Sequence, residues 1–167
     1  MNLFLLRHGV AVERDEFDYA GDASRRLTPK GKKQLRAVAD ALPAMGLCFD
    51  VILSSPLVRA RQTAEIIAGD LKLMRRLAFT DELKPGGNAK NLVQKIGQLK
   101  PVPENVLLVG HEPDFSELIS LLVTGSHGGG FALKKGGLAK LESEKLRAGK
   151  CAALAWLLTP AQMKLMR

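Results

Sequence analysis

Short apolar runs alternate along the chain with stretches in which apolar residues recur every three or four positions. Residues 2–6, Asn2-Leu3-Phe4-Leu5-Leu6, are a run fit for a buried strand. Residues 14–26 are polar without a clear period and read as a loop. Thr28-Pro29 then opens a helix, with Thr as N-cap and Pro at the first helical position. Leu35, Val38, Ala39 and Leu42 fall at i, i+3, i+4 and i+7, one face of that helix. Pro43 disturbs its last turn, and Gly46 is suited to stop it. Residues 50–53 predict a second strand, which Ser54-Ser55-Pro56 ends while capping a second helix to about residue 69. Residues 72–79 predict a weaker third strand, Pro85-Gly86-Gly87-Asn88 a loop, and residues 89–99 a third helix. Residues 105–109 are a strong strand ended by Gly110. Pro113 opens a fourth helix with Phe115, Leu118, Ile119 and Leu122 on one face. After a glycine-rich turn at 125–130, residues 138–142 and 151–158 read as two strands joined by a polar connection. A short helix follows Pro160.

Alternating strands and helices place the chain in the α/β class with a largely parallel sheet, the last two strands forming an antiparallel addition. No repeat, linker or low-complexity tract divides the sequence, so a single domain over residues 1–167 is expected. Its 46% hydrophobic and 25% charged residues exclude a wholly disordered chain, a collagen-like repeat and a disulfide scaffold. No apolar run approaches the roughly 18 residues of a membrane span. The opening apolar stretch is short, lacks a preceding basic residue and ends at Arg7-His8, which makes a poor signal peptide. A cytoplasmic protein is expected, with no membrane partner. Cys48 and Cys151 lie far apart among mainly apolar neighbours, in no metal-like spacing, and read as small packed hydrophobes.

Twenty-five Lys and Arg against seventeen Asp and Glu give a net charge of +8. Such an excess favours acidic partners without choosing among them. The basic residues are scattered, and one Tyr and one Trp do not make a base-stacking platform, so nucleic acid is not the expected partner.

In open α/β sheets, ligands bind at the carboxyl ends of the strands. The first strand ends in Arg7-His8-Gly9, the second in Ser54-Ser55-Pro56-Leu57-Val58-Arg59-Ala60-Arg61, and the strong strand at 105–109 in Gly110-His111-Glu112-Pro113. Two of the three histidines therefore stand where an anion is expected. A neutral imidazole is a competent nucleophile towards phosphorus. Guanidinium groups offer paired donors to phosphate oxygens. A glycine after the nucleophile lets backbone approach closely. Helix starts at Pro56 and Pro113 add positive potential. Periodicity does not separate Arg59 from Arg61, which flank the apolar stripe Ala60, Ala64 and Ile67 at about 100° on either side. A two-histidine metal site competes with the phosphate reading but lacks an obvious third ligand.

These segments resemble the histidine phosphatase superfamily, whose mark is Arg-His-Gly at the end of the first strand. The stretch Ser54-Ser55-Pro56-Leu57-Val58-Arg59-Ala60-Arg61-Gln62-Thr63-Ala64 resembles its second motif, and Val109-Gly110-His111-Glu112-Pro113 its third. Arg26-Leu27-Thr28-Pro29-Lys30-Gly31 resembles the opening of its first helix. Glu82-Leu83-Lys84-Pro85, Phe131-Ala132-Leu133-Lys134-Lys135-Gly136 and the short length point to the SixA-type phosphohistidine phosphatase branch. The resemblance implies a three-layer α/β sandwich of phosphoglycerate mutase-like fold, with one antiparallel strand and helices on both faces. It implies that His8 attacks phosphorus and becomes phosphorylated, while Arg7, Arg59 and His111 hold the phosphoryl oxygens, and that no metal or organic cofactor is needed. It selects Arg59 over Arg61.

The general acid stays open between Glu82, at the position of an acidic residue in the family, and Asp22 in the polar loop; each alone reads as a solvated carboxylate. Arg25 reads equally as a phosphate or protein-substrate ligand and as a salt-bridge partner. Lys134 and Lys135 read as a solvated basic turn, and His127 as an exposed loop histidine. The expected substrate is phosphohistidine on a protein, such as a phosphotransfer domain or carrier, with phosphate or sulfate also fitting the pocket. The rivals are a phosphatase of small esters, such as sugar phosphates or nucleotides, and a non-catalytic regulator that binds phosphorylated ligands.

Overall fold

The computed structural model describes residues 1–13 and 21–166. Six strands make one sheet: β1 (Asn2–Arg7), β2 (Val51–Ser54), β3 (Leu77–Phe79), β4 (Asn105–Gly110), β5 (Leu138–Glu142) and β6 (Ala153–Leu158). Their spatial order is β3-β2-β4-β1-β5-β6. Strands β1 to β4 pair in parallel, whereas β5 pairs antiparallel with both β1 and β6. Only β5 therefore runs against the others, although the two last strands both joined the sheet antiparallel to a neighbour as expected.

Among the described residues five α-helices cover the sheet: α1 (Pro29–Ala44), α2 (Val58–Asp70), α3 (Ala89–Gly97), α4 (Asp114–Thr124) and α5 (Pro160–Lys164). Strand pleating sends alternate side chains to opposite faces. Phe4 and Leu6 of β1 pack with α1, α2 and Met163 of α5; Leu3 and Leu5 pack with α3 and α4. A strand buried on both faces needs apolar residues at every position, which is why β1 and β4 read as unbroken runs. Each such leucine contributes about 1.5–3 kcal/mol of burial.

The predicted face of α1 is the buried one, with Leu35, Val38, Ala39 and Leu42 all in the core. Thr28 caps the helix, its Oγ1 accepting from the Gly31 amide at 3.0 Å. Gly31 matters for another reason. A Cβ there would stand 2.2 Å from the Val10 carbonyl oxygen, so only glycine lets α1 press against the turn after β1.

Three local expectations are corrected. Helix α2 begins at Val58 with Leu57 as N-cap and no side-chain cap, not at Pro56. The Ser55 amide still bonds to the Val109 carbonyl, which prolongs the strand pairing, and the Ser54 hydroxyl donates to the Ser55 carbonyl. The third strand is only Leu77–Phe79, because Lys72 adopts a left-handed conformation and residues 74–76 form a 3-10 turn. Cys48 is exposed rather than packed, while Cys151 is half-buried and donates to the Arg147 carbonyl; both are free thiols. Among the described residues no helix is long and apolar enough to cross a membrane.

Candidate active site

Strands β1, β2 and β4 end side by side, and their carboxyl ends carry Arg7-His8, Ser54-Ser55 and Gly110-His111. The register pairs Arg7 with Gly110 and Ser54 with Val109, so residues 103 and 55 positions apart in sequence become neighbours. The rings of His8 and His111 lie 5.2 Å apart. Both imidazoles are buried, as is Arg59.

The protonation pattern of His8 follows from its partners. Its Nδ1 lies 2.8 Å from the Gly9 carbonyl, which only accepts, so Nδ1 carries the proton. Arg59 Nε, which only donates, lies 3.3 Å from His8 Nε2. The ring is thus a neutral tautomer with the Nε2 lone pair turned to the guanidinium. Burial pushes the His8 pKa down to about 4, and the nearby Arg59, Arg7 and Lys135 charges push the same way against the Gly9 hydrogen bond. His111 falls to about 3, through burial first and then Arg59 and His8. Two imidazoles kept neutral by burial first and by neighbouring cations second mark a site that favours an anion.

Arg59 is held on one edge by the Asp22 segment. Its Nη1 donates to the Asp22 carbonyl at 2.7 Å and its Nη2 to the Asp22 carboxylate at 2.8 Å. Arg61 points outward instead, paired with Glu65 and lying over the Phe79 ring at 5.1 Å. Arg7 donates to the Leu133 carbonyl at 2.7 Å, and its buried Nε has no partner among the described residues. Burial lowers the pKa of Arg7, against the opposing charge of Glu112.

Gly9 sits here for internal reasons. A Cβ would stand 2.7 Å from Leu35 in α1, and its amide donates to Thr63 Oγ1 at 3.1 Å. The room left by the missing side chain is taken by the core, not offered to a ligand. Thr63 in turn donates to the Arg59 carbonyl at 2.7 Å, tying the turn that carries His8 and Gly9 to α2.

The two carboxylates offered as acids are both held ionised. Glu82 accepts from the Thr80 hydroxyl and from Lys95, and these bonds bring its pKa down to about 2. It shares a small cavity with His111 and Asp114. Burial raises the Asp22 pKa, but bonds from Arg25 and Arg59 outweigh it and the net shift is downward. Arg25 is the salt-bridge partner, at 2.9 Å from Asp22, and also donates to the Val12 carbonyl. His127 is exposed in the glycine-rich turn and pairs with Glu117 at 2.9 Å. Lys134 and Lys135 are exposed, yet their turn is bolted to the site: the Gly136 amide donates to the carbonyls of both Arg7 and His8.

Several supporting residues escape the sequence reading. Ser55 Oγ lies 2.9 Å from His111 Nε2, and Glu112 accepts from the Leu133 amide at 2.9 Å and from Ser116. Asp114 accepts from the Gly86 amide at 3.1 Å and so docks the Glu82 loop on α4; burial raises its pKa. Ser55 and Thr63 stand within the second motif, and Thr63 is one helical turn from Arg59. Nothing local signals the roles of Glu112 and Asp114, which depend on distant loops.

Comparison with known proteins agrees with this fold. A family model described as the histidine phosphatase superfamily, branch 1, matches residues 3–84. The phosphohistidine phosphatase SixA of Escherichia coli is 30% identical over 126 residues, 75% of this chain and 76% of its own. An uncharacterised protein of a Picosynechococcus strain is 38% identical over 148 residues, 88% of each chain. Among solved structures, the protein histidine phosphatase SixA complexed with tungstate superposes with a TM-score of 0.80 at 25% identity, covering 96% of this chain and 98% of that one. A likeness that holds over three quarters of both sequences and nearly all of the fold makes the chain a member of the histidine phosphatase superfamily, and a phosphatase.

Proposed function

We propose that the protein hydrolyses phosphohistidine on a protein substrate through a phosphorylated His8. The observation that carries this reading is the neutral His8 tautomer, with its Nε2 lone pair at the Arg59 edge, in a site whose two candidate acids are both ionised. An ester substrate releases an alkoxide and needs a protonated acid. The imidazole of phosphohistidine needs none when its other nitrogen is protonated, because it leaves as a neutral ring.

In this scheme His8 Nε2 attacks phosphorus. The P–N bond to the substrate breaks, and its electron pair stays on the departing imidazole. Arg7 and Arg59 bind the phosphoryl oxygens, Arg59 sliding along its Asp22 contacts to do so. Ser55 Oγ accepts from the Leu57 amide at 3.3 Å and lies 2.9 Å from His111 Nε2, to which it donates a hydrogen bond in this scheme. The His111 proton then rests on the buried, unpartnered Nδ1, where it serves as donor to an oxyanion. Water next attacks the phosphorylated His8, the P–Nε2 bond breaks, and orthophosphate leaves.

The test compares a phosphorylated phosphotransfer domain with an alkyl phosphate ester, glycerol 2-phosphate, for the wild type and His8→Ala. Faster release from phosphohistidine, with acid-labile, alkali-stable label trapped on wild type only, is the expected result. Preference for the ester would move the substrate to small phosphate esters. Phosphate binding without turnover of either would leave a non-catalytic regulator.

A further inference from the structure

The first turns of α1 carry Lys30, Lys33 and Arg36, and α5 ends with Lys164. These side chains border one groove of about 490 Å³, floored by the apolar Ala37, Pro160 and Ala161. All four cations are exposed, and none forms an ion pair with another described residue. Asp40 alone among the lining residues is acidic. Four like charges on one groove repel one another, so an anionic occupant relieves them.

The groove also has a fixed relation to the site. Helices α1 and α5 both start at the sheet edge where β1 ends, because β6 runs in the direction of β1. A Cβ at Gly136 would stand 3.2 Å from Pro160 and 3.3 Å from Gln34, both lining residues. The same Gly136 donates its amide to the carbonyls of Arg7 and His8. One end of the groove therefore lies a single residue from the turn that carries the nucleophile.

We propose that this groove docks an acidic helical segment of the phosphohistidine-bearing protein while its phosphorylated side chain enters the site. The proposal rests on the protein-substrate reading above. Charge complementarity and the apolar floor fit an amphipathic helix with carboxylates on its flanks. A helix that bears a phosphohistidine and packs along α1 would bring both features in one body.

The experiment measures kcat/KM for two substrates: an acidic phosphotransfer domain phosphorylated on histidine, and free phosphohistidine. The variants are Lys33→Glu with Arg36→Glu, and as a control Lys72→Glu with Arg75→Glu on the distant α2–β3 connection. The expected result is a loss of about tenfold or more on the domain for the groove variant, carried by KM and shrinking with salt, with free phosphohistidine unaffected. An equal loss in the control variant, or none in either while the wild type still turns over the domain, overturns the docking proposal and leaves the phosphohistidine reading intact. A wild type inactive on both phosphohistidine substrates overturns both. If the groove substitutions abolish binding of a DNA duplex or phosphatidylserine vesicles and spare turnover of the domain, the groove serves another class of partner and the proposal falls.

Discussion

The two neighbouring arginines of α2 meet opposite fates. Arg59 is buried, touches His8 and is clamped by Asp22; Arg61, two residues on, is 57% exposed and pairs with Glu65 on its own helix. The same contrast divides the site as a whole. His8, His111 and Arg59 are placed by strand ends and a helix whose other residues are core. The carboxylates Asp22 and Glu82 are placed by surface loops and by ion pairs with Arg25 and Lys95. Groups anchored by the core keep their geometry as solvent and salt change; groups anchored by exposed pairs are held weakly.

The largest expected effect is at His8, the proposed nucleophile. His8→Ala should lower turnover by roughly 10⁴-fold or more while leaving the far-ultraviolet circular dichroism unchanged. Next comes the arginine comparison itself. Arg59→Ala should cost about 10²–10³-fold in kcat/KM, as for loss of one transition-state donor, whereas Arg61→Ala should stay within about twofold. Comparable losses for the two would break the distinction.

Proton linkage sharpens it further. The His8 and His111 values of about 4 and 3 lie below the ordinary 6.5, so the folded protein binds fewer protons than the unfolded chain between these values. Stability should therefore be level above pH 7 and fall as the pH drops from 6.5 towards 4. A urea titration series over that range checks the sign, and saturating phosphate should flatten the slope by favouring the protonated rings. The acid limb of kcat/KM should lie near 4 if unliganded His8 governs it, well below that of an exposed histidine.

Smaller effects concern the supports. Thr63→Val removes the acceptor of the buried Gly9 amide and should cost about 1–3 kcal/mol in chemical denaturation. The smallest are expected at the loop carboxylates. Glu82→Gln should change phosphohistidine turnover less than tenfold, and Asp22→Asn should tighten inhibition by phosphate by releasing Arg59 from a competing anion. A collapse of turnover in Glu82→Gln would show that the acid is needed and would favour an ester substrate.

Much of this was legible before folding. Buried strands announce themselves as unbroken apolar runs, and α1 announces its start by Thr28-Pro29 and its face by the spacing of four apolar residues. Legibility failed where a side chain answered to a partner that no local period marks. Ser55 reads as a helix cap, but its hydroxyl meets His111, and α2 starts later. Gly9 reads as clearance for a ligand, but Leu35 takes the space. Arg25 stood even between phosphate and salt bridge, and the partner that decided it lies three residues away in a turn without period.

The sequence by itself determined the α/β class, the succession of elements, and the strand ends where cations and imidazoles gather. Those follow from local periodicity and from residue chemistry, which each segment carries wherever it is placed. Only the tertiary structure decided which arginine turns inward, which ring nitrogen keeps the proton, and that both candidate acids are ionised. These depend on burial and on hydrogen bonds that form only in the folded chain, among them those of Arg59 with His8 and Asp22, tens of residues away, which meet once β1, β2 and β4 stand side by side.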